Sequence, residues 1–188
     1  KGFIALDYFI FINPDIDLSS LDFTKLFKLI DENSYSFDIF GIHIIDEEGY
    51  TNHAGVVFDK KGWPCHFLFG AKNSHLARRN REMEAVSGAF MIVKRDILKE
   101  IKFNETYQNG YEDVDFCLRA KEKSYRILYL GEVEVKHSSY KDKERFQSEA
   151  ENFFKFHHIW LETNRLNYLQ GKSGLRRPVF LTISDNIH

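Results

Sequence analysis

Two cysteines, Cys65 and Cys117, are the only thiols in 188 residues, and they lie far apart in different kinds of segment. This excludes a disulfide framework and points to a reducing compartment. Long apolar runs are missing too: none approaches the roughly 18 to 20 residues that a membrane-spanning helix needs. The expected location is the cytoplasm, with any membrane contact peripheral, at the inner face. Nor does one sign of charge dominate. A formal net charge of -2 and a pI near 6.5 leave no global attraction for nucleic acid, and basic residues cluster only at 77–81 and 175–177. Tightly spaced metal-ligating histidines are absent from the 43–75 region. His43, His53, His66 and His75 show no i,i+2 or i,i+4 pair, so each reads as a hydrogen-bonded histidine of a half-buried strand. What is plentiful is apolar and aromatic matter. With 43% hydrophobic residues, 18 Phe and 9 Tyr, the chain can fill the core of one domain.

The apolar segments are short and punctuated, as in an α/β protein. Ala5 to Ile12 is nearly continuous and aromatic, which predicts an interior strand buried on both faces. Asn13-Pro14-Asp15 ends it, because proline lacks the N–H for strand pairing and forces its predecessor into an extended conformation. Ser19 reads as the N-cap of a helix whose apolar face is Phe23, Leu26, Phe27 and Ile30. Residues 37–45 and 52–58, separated by Asp46-Glu47-Glu48-Gly49, predict a β-hairpin, and residues 65–70 a further short strand. A polar loop covers 71–82. The apolar run from Met83 to Val93 is interrupted by Ser87-Gly88-Ala89, small residues of the kind that let another backbone or a ligand come close. A short helix from Arg95, a loop over 103–110, strands at 126–130 and 133–137, and a long helix from about Asp142 to Gln170 complete the pattern. Residues 1–170 form the expected domain, and 171–188 a tail or linker.

Apart from the Asp46-Glu47-Glu48 turn, acidic residues concentrate at two places. Asp15 and Asp17 follow the first strand, at the sheet edge where α/β proteins bind ligands, and hard carboxylate oxygens there suit a divalent cation and phosphate as well as they suit an Asx-type turn. Glu112, Asp113 and Asp115 crowd the first turn of a helix beginning near Tyr111, where N–H groups and the helix dipole favour anions. His137 ends the last predicted strand.

Taken in order, these pieces resemble the family 2 glycosyltransferases of the GT-A fold, especially bacterial enzymes of O-antigen or capsule-type synthesis. The matching residues are Phe9 to Asp15, His53 to Val57, Ala85 to Arg95, Asn109 to Arg119, and His137-Ser138-Ser139 ahead of Glu151-Asn152 and Trp160. The resemblance implies a GT-A-like mixed β-sheet flanked by helices, with the N-terminal nucleotide-binding part expected ahead of Lys1. It also implies Mn²⁺ or Mg²⁺ at Asp15, His137 and Asp17, with Asp113 as general base and Glu112 beside it. Asn13, Ser87, Gly88, Ala89, Asp115 and Arg119 would face donor or acceptor. The implied partners are a nucleotide-diphosphate sugar, a glycan, lipid-linked or protein-linked sugar acceptor, and the N-terminal portion of the same polypeptide or another chain. Ile101-Lys102-Phe103-Asn104-Glu105 departs from the family's usual Gly-Gly-Phe-Asp-Glu, and Asn13 replaces the first carboxylate of the DxD position, as is common in this subgroup, which leaves a single acid plus Asp17 to hold the metal. The alternative is a non-catalytic glycan-binding or scaffolding domain. Hydrolysis by the same carboxylates ranks last, since it needs a pair at about 5 or about 6.5 to 9.5 Å.

Overall fold

The computed structural model describes residues 7–59, 63–107, 110–137 and 157. The predicted helix at 142–170, apart from His157, and the tail at 171–188 lie outside the described residues, as do Ser138 and Ser139. The fold is α/β, with a mixed sheet flanked by helices, as expected. Its strands are β1 (Tyr8–Ile12), β2 (Ile16–Asp17), β3 (Ile39–Ile45), β4 (Thr51–His53), β5 (Val56–Phe58), β6 (Pro64–His66), β7 (Arg81–Glu82), β8 (Phe90–Lys94) and β9 (Ile127–His137). The helices are α1 (Phe23–Asn33), α2 (Arg95–Glu100) and α3 (Glu112–Glu122).

A parallel pair, β3 and β9, forms the centre of the main sheet, whose order is β1-β8-β3-β9-β2. β4 adds to the end of β3 and β7 to the start of β9, while β5 and β6 form a separate two-stranded ribbon. The central strands are apolar on both faces because both are covered. Ile39, Met91, Val93, Ile127 and Tyr129 pack toward Val114, Phe116, Cys117 and Leu118 of α3. Phe40, Ile42, Ile44, Phe90, Ile92, Leu128 and Leu130 pack toward Leu26, Leu29 and Ile30 of α1.

Four expectations need correction. Among the described residues β1 is not interior: it pairs with β8 alone, at the sheet edge, and Phe9, Ile10 and Ile12 are 43%, 36% and 39% exposed. α1 starts later than Ser19, because Asp22 accepts the N–H of Lys25 and thereby caps the helix. Its buried stripe is Leu26, Leu29 and Ile30, leaving Phe23 and Phe27 outward. The hairpin holds only as far as His53, since Gly55 adopts φ +96° and turns Val56 away to pair with His66. The two strands predicted at 126–130 and 133–137 are one, β9, with a register shift against β3 after Ile42. Both cysteines are free, Cys65 exposed and Cys117 buried.

Candidate active site at the carboxyl edge of the sheet

β1 runs antiparallel to β8 and β8 antiparallel to β3, so β1, β3 and β9 share one direction and their carboxyl ends share one edge. The segment leading into β8 and the N-terminus of α3 reach the same edge. Together they wall a cavity of about 670 Å³, lined on one side by Phe11, Ile12, Asn13 and His137 and on another by Ser87, Gly88, Ala89, Tyr111, Glu112 and Asp113.

Each side chain is placed by a local cause. After β1, Ile16 N–H donates to the Asn13 carbonyl, and the tight turn sends β2 back to pair with the end of β9, Ile16 opposite His137. That register brings Asp15 Oδ2 to 3.0 Å from His137 Nε2. Asp17, one residue beyond β2's first, instead accepts the N–H of Ser19 at 2.8 Å, and this hydrogen bond lowers its pKa. Of the pair, Asp17 makes the Asx-type turn.

At the other wall, Gly110 and Tyr111 both have positive φ, +112° and +66°, and the chain enters α3 through this bend without a side-chain cap on Tyr111. Glu112 accepts the N–H of Gly110 at 2.7 Å. Asp113 accepts the N–H of Gly88 at 2.7 Å through Oδ2 and that of Val114 at 2.7 Å through Oδ1. Burial raises the pKa of Asp113 above the ordinary carboxylate range, and the two amide hydrogen bonds offset only part of this. Phe11 meets Phe103 edge-on at 5.1 Å and Phe103 stacks on Phe116 at 4.6 Å, an aromatic column that ties β1, the 103–107 loop and α3 together beneath the site.

The small residues before β8 are held by three successive N–H groups. Ser87 donates to His53 Nε2 at 3.1 Å, Gly88 to Asp113, and Ala89 to Ser87 Oγ at 3.2 Å. Asp115 and Arg119 lie elsewhere. Asp115 is 1% exposed, with Oδ1 2.7 Å from His157 Nε2 and Oδ2 2.8 Å from Arg119 Nε. Burial opposes its charge, but the bonds from His157 and Arg119 prevail and lower its pKa. These two residues tie α3 to His157 and are not among the cavity's lining residues.

The lining also includes Pro64, Cys65 and His66 of β6, which the sequence reading left structural. Only the swing of the chain at Gly55 brings the β5-β6 ribbon to the site. Spacing offers no hint of it.

No family model matches the chain. Over 161 residues it is 23% identical to the low-salt glycan biosynthesis hexosyltransferase Agl10 of Haloferax volcanii, covering 82% of this chain and 50% of that protein. Over 188 residues it is 24% identical to the rhamnosyltransferase WbbL of Escherichia coli K12, covering 97% and 69%. The chain is similar to glycosyltransferases. It spans half the length of the archaeal relative and about two thirds of the bacterial one. The crystal structure of A197 from STIV aligns over 72% of this chain and 59% of its own at 20% identity, with a TM-score of 0.44, too loose a likeness to support an argument.

Proposed function

We propose that this chain is the acceptor-side, catalytic portion of a metal-dependent, inverting glycosyltransferase of the family 2 type. It moves a sugar from a nucleotide-diphosphate donor to a hydroxyl of a glycan, lipid-linked or protein-linked acceptor. The observation that supports it most is the position and state of Asp113. A carboxylate made more basic by its surroundings and aimed by two backbone N–H groups stands in the wall of a cavity at the ligand-binding edge of the sheet. Similarity to two glycosyltransferases agrees with this reading.

Asp113 takes the proton of the acceptor hydroxyl as that oxygen attacks the anomeric carbon, on the face opposite the leaving diphosphate. Glu112, bonded to the Gly110 N–H, fixes the bend that presents Asp113. The donor set fits a divalent cation in part. Asp15 and His137 are close enough to share one ion, while among the described residues no group of three or more His, Cys, Asp or Glu could hold a metal. Asp15 and His137 would hold the Mn²⁺ or Mg²⁺, and its charge would neutralise the leaving diphosphate. Asp17 supports the turn from which Asp15 projects.

The test is Asp113→Asn in the intact protein. Transfer should fall by about 10² to 10⁴-fold, the range for loss of a general base, while calorimetric titration still shows Mn²⁺-dependent binding of a nucleoside diphosphate within about threefold of wild type. Unchanged turnover removes Asp113 as the base. Glycan binding indifferent to Mn²⁺ and nucleotide, with no transfer, supports the non-catalytic module instead.

A further inference from the structure

His53 and His66 face each other across the wall of this cavity, Nδ1 to Nδ1 at 2.9 Å. Two nitrogens at that distance share one proton, and the surroundings decide whose it is. His53 is 2% exposed, and its Nε2 lies 3.1 Å from the Ser87 N–H and 3.3 Å from the Gly55 N–H. Both are donors, so Nε2 is an acceptor and the proton of neutral His53 sits on Nδ1. It is donated to His66 Nδ1, which must then be the acceptor. The proton of His66 is thereby left on Nε2.

Protonating His66 on Nδ1 would set two N–H groups against each other, and His53 cannot yield by switching tautomer without losing its bonds to Ser87 and Gly55. Desolvation also disfavours charge on the buried ring of His53 and, against a larger solvent exposure, on His66. His66 is a neutral donor, oriented from behind. A neutral donor suits an uncharged oxygen, a sugar hydroxyl or ring oxygen, better than a phosphate, which would favour a cation.

We propose that His66 is a sugar-recognising residue that donates from Nε2 to an oxygen of the transferred or accepting sugar, and that His53 is the positioning residue that sets its tautomer. This rests on the glycosyl-transfer reading and specifies which part of the substrate His66 meets. The same His53 nitrogen holds the Ser87 amide, next to the Gly88 amide that holds Asp113. One buried ring thus links sugar recognition to the placement of the base.

The experiment uses intact protein with ¹⁵N-labelled histidine. Two-bond ¹H–¹⁵N correlation at neutral pH should show His53 protonated on Nδ1 and His66 on Nε2. UDP-, dTDP- and GDP-sugars should be titrated beside the corresponding free diphosphates and a free glycan acceptor. A sugar-bearing ligand should shift the His66 Nε2 signal, and free diphosphates should not. His66→Phe should lose about tenfold in kcat/KM, the scale of one hydrogen bond to the substrate, with nucleoside diphosphate affinity unchanged. His66→Gln, which keeps an N–H near the same place, should recover most of it. His53→Phe should alter the His66 tautomer ratio, which a purely structural role would not do.

A proton on Nδ1 of His66, an equal shift with free diphosphate, or full activity in His66→Phe overturns this proposal while leaving glycosyl transfer standing. If no nucleotide sugar, diphosphate or glycan binds and no transfer occurs, both readings fall together.

Discussion

Gly88 shows how narrow the tolerance of the site is. A Cβ placed there would lie 3.2 Å from Asp113 Cβ and 3.6 Å from its Oδ2, so the carboxylate must shift by a few tenths of an ångström to admit it. Gly88→Ala should therefore reduce transfer by about tenfold, since catalytic groups displaced by a fraction of an ångström lose part of their effective concentration. Thermal unfolding should hardly change, because the displaced group lies at a cavity wall. The elevated pKa of Asp113 makes a second prediction at this scale. Only the ionised carboxylate can accept the hydroxyl proton, so kcat/KM should fall on the acid side through a pKa above the ordinary aspartate value of about 3.9. A pH–rate profile locates that limb. The Glu-Asp pair marks Asp113 in the sequence, but its raised pKa is not legible there, because the segments that pack around it, Gly88 from 25 residues upstream among them, meet only in the fold.

Among the elements, α3 is the one on which the site depends. Its first turn carries three acids with three separate duties: Glu112 holds the entry bend, Asp113 faces the cavity, and Asp115 is buried against His157 and Arg119. The family resemblance places all three on the ligand side. Helical geometry separates them, since residues two apart point about 200° away from each other. Asp115→Ala should destabilise the fold by about 3 kcal/mol, the low end for breaking a buried ion pair, because Arg119 is partly solvated and can recover some hydration. Urea unfolding of Asp115→Ala and His157→Ala, with the double variant, measures this. If the pair is coupled, the double variant should cost less than the sum of the singles.

At the scale of the whole molecule, the buried histidines His43 and His53 make stability depend on pH. Desolvation lowers the pKa of His53 well below the usual value and that of His43 below it, although Glu134 beside His43 works the other way. The unfolded chain binds these protons near pH 6.5 and the native chain does not. Stability should therefore be complete above about pH 6.5 and decline as pH falls below it, by up to about 1.4 kcal/mol per pH unit for each such group. Urea midpoints between pH 7.5 and 5.5 test this, and His53→Gln, which retains an acceptor for the Ser87 N–H, should flatten the profile. Periodicity and punctuation sufficed for the α/β class, for β3, β8, α2 and α3, and for the strand-end positions of Asp15 and His137, because these follow from local spacing of apolar residues and from Pro14. Local spacing is silent on which strand lies at an edge. A run such as Tyr8 to Ile12 has the same sequence whether one neighbour or two pair with it, and only the long-range order β1-β8-β3-β9-β2 exposes Phe9 and Ile12. The pairing of His53 with His66, the burial of Asp113 under Gly88 and the meeting of Asp15 with His137 are likewise contacts between segments distant in the chain. They arise only when the sheet register and the turn at Gly55 bring those segments to one edge.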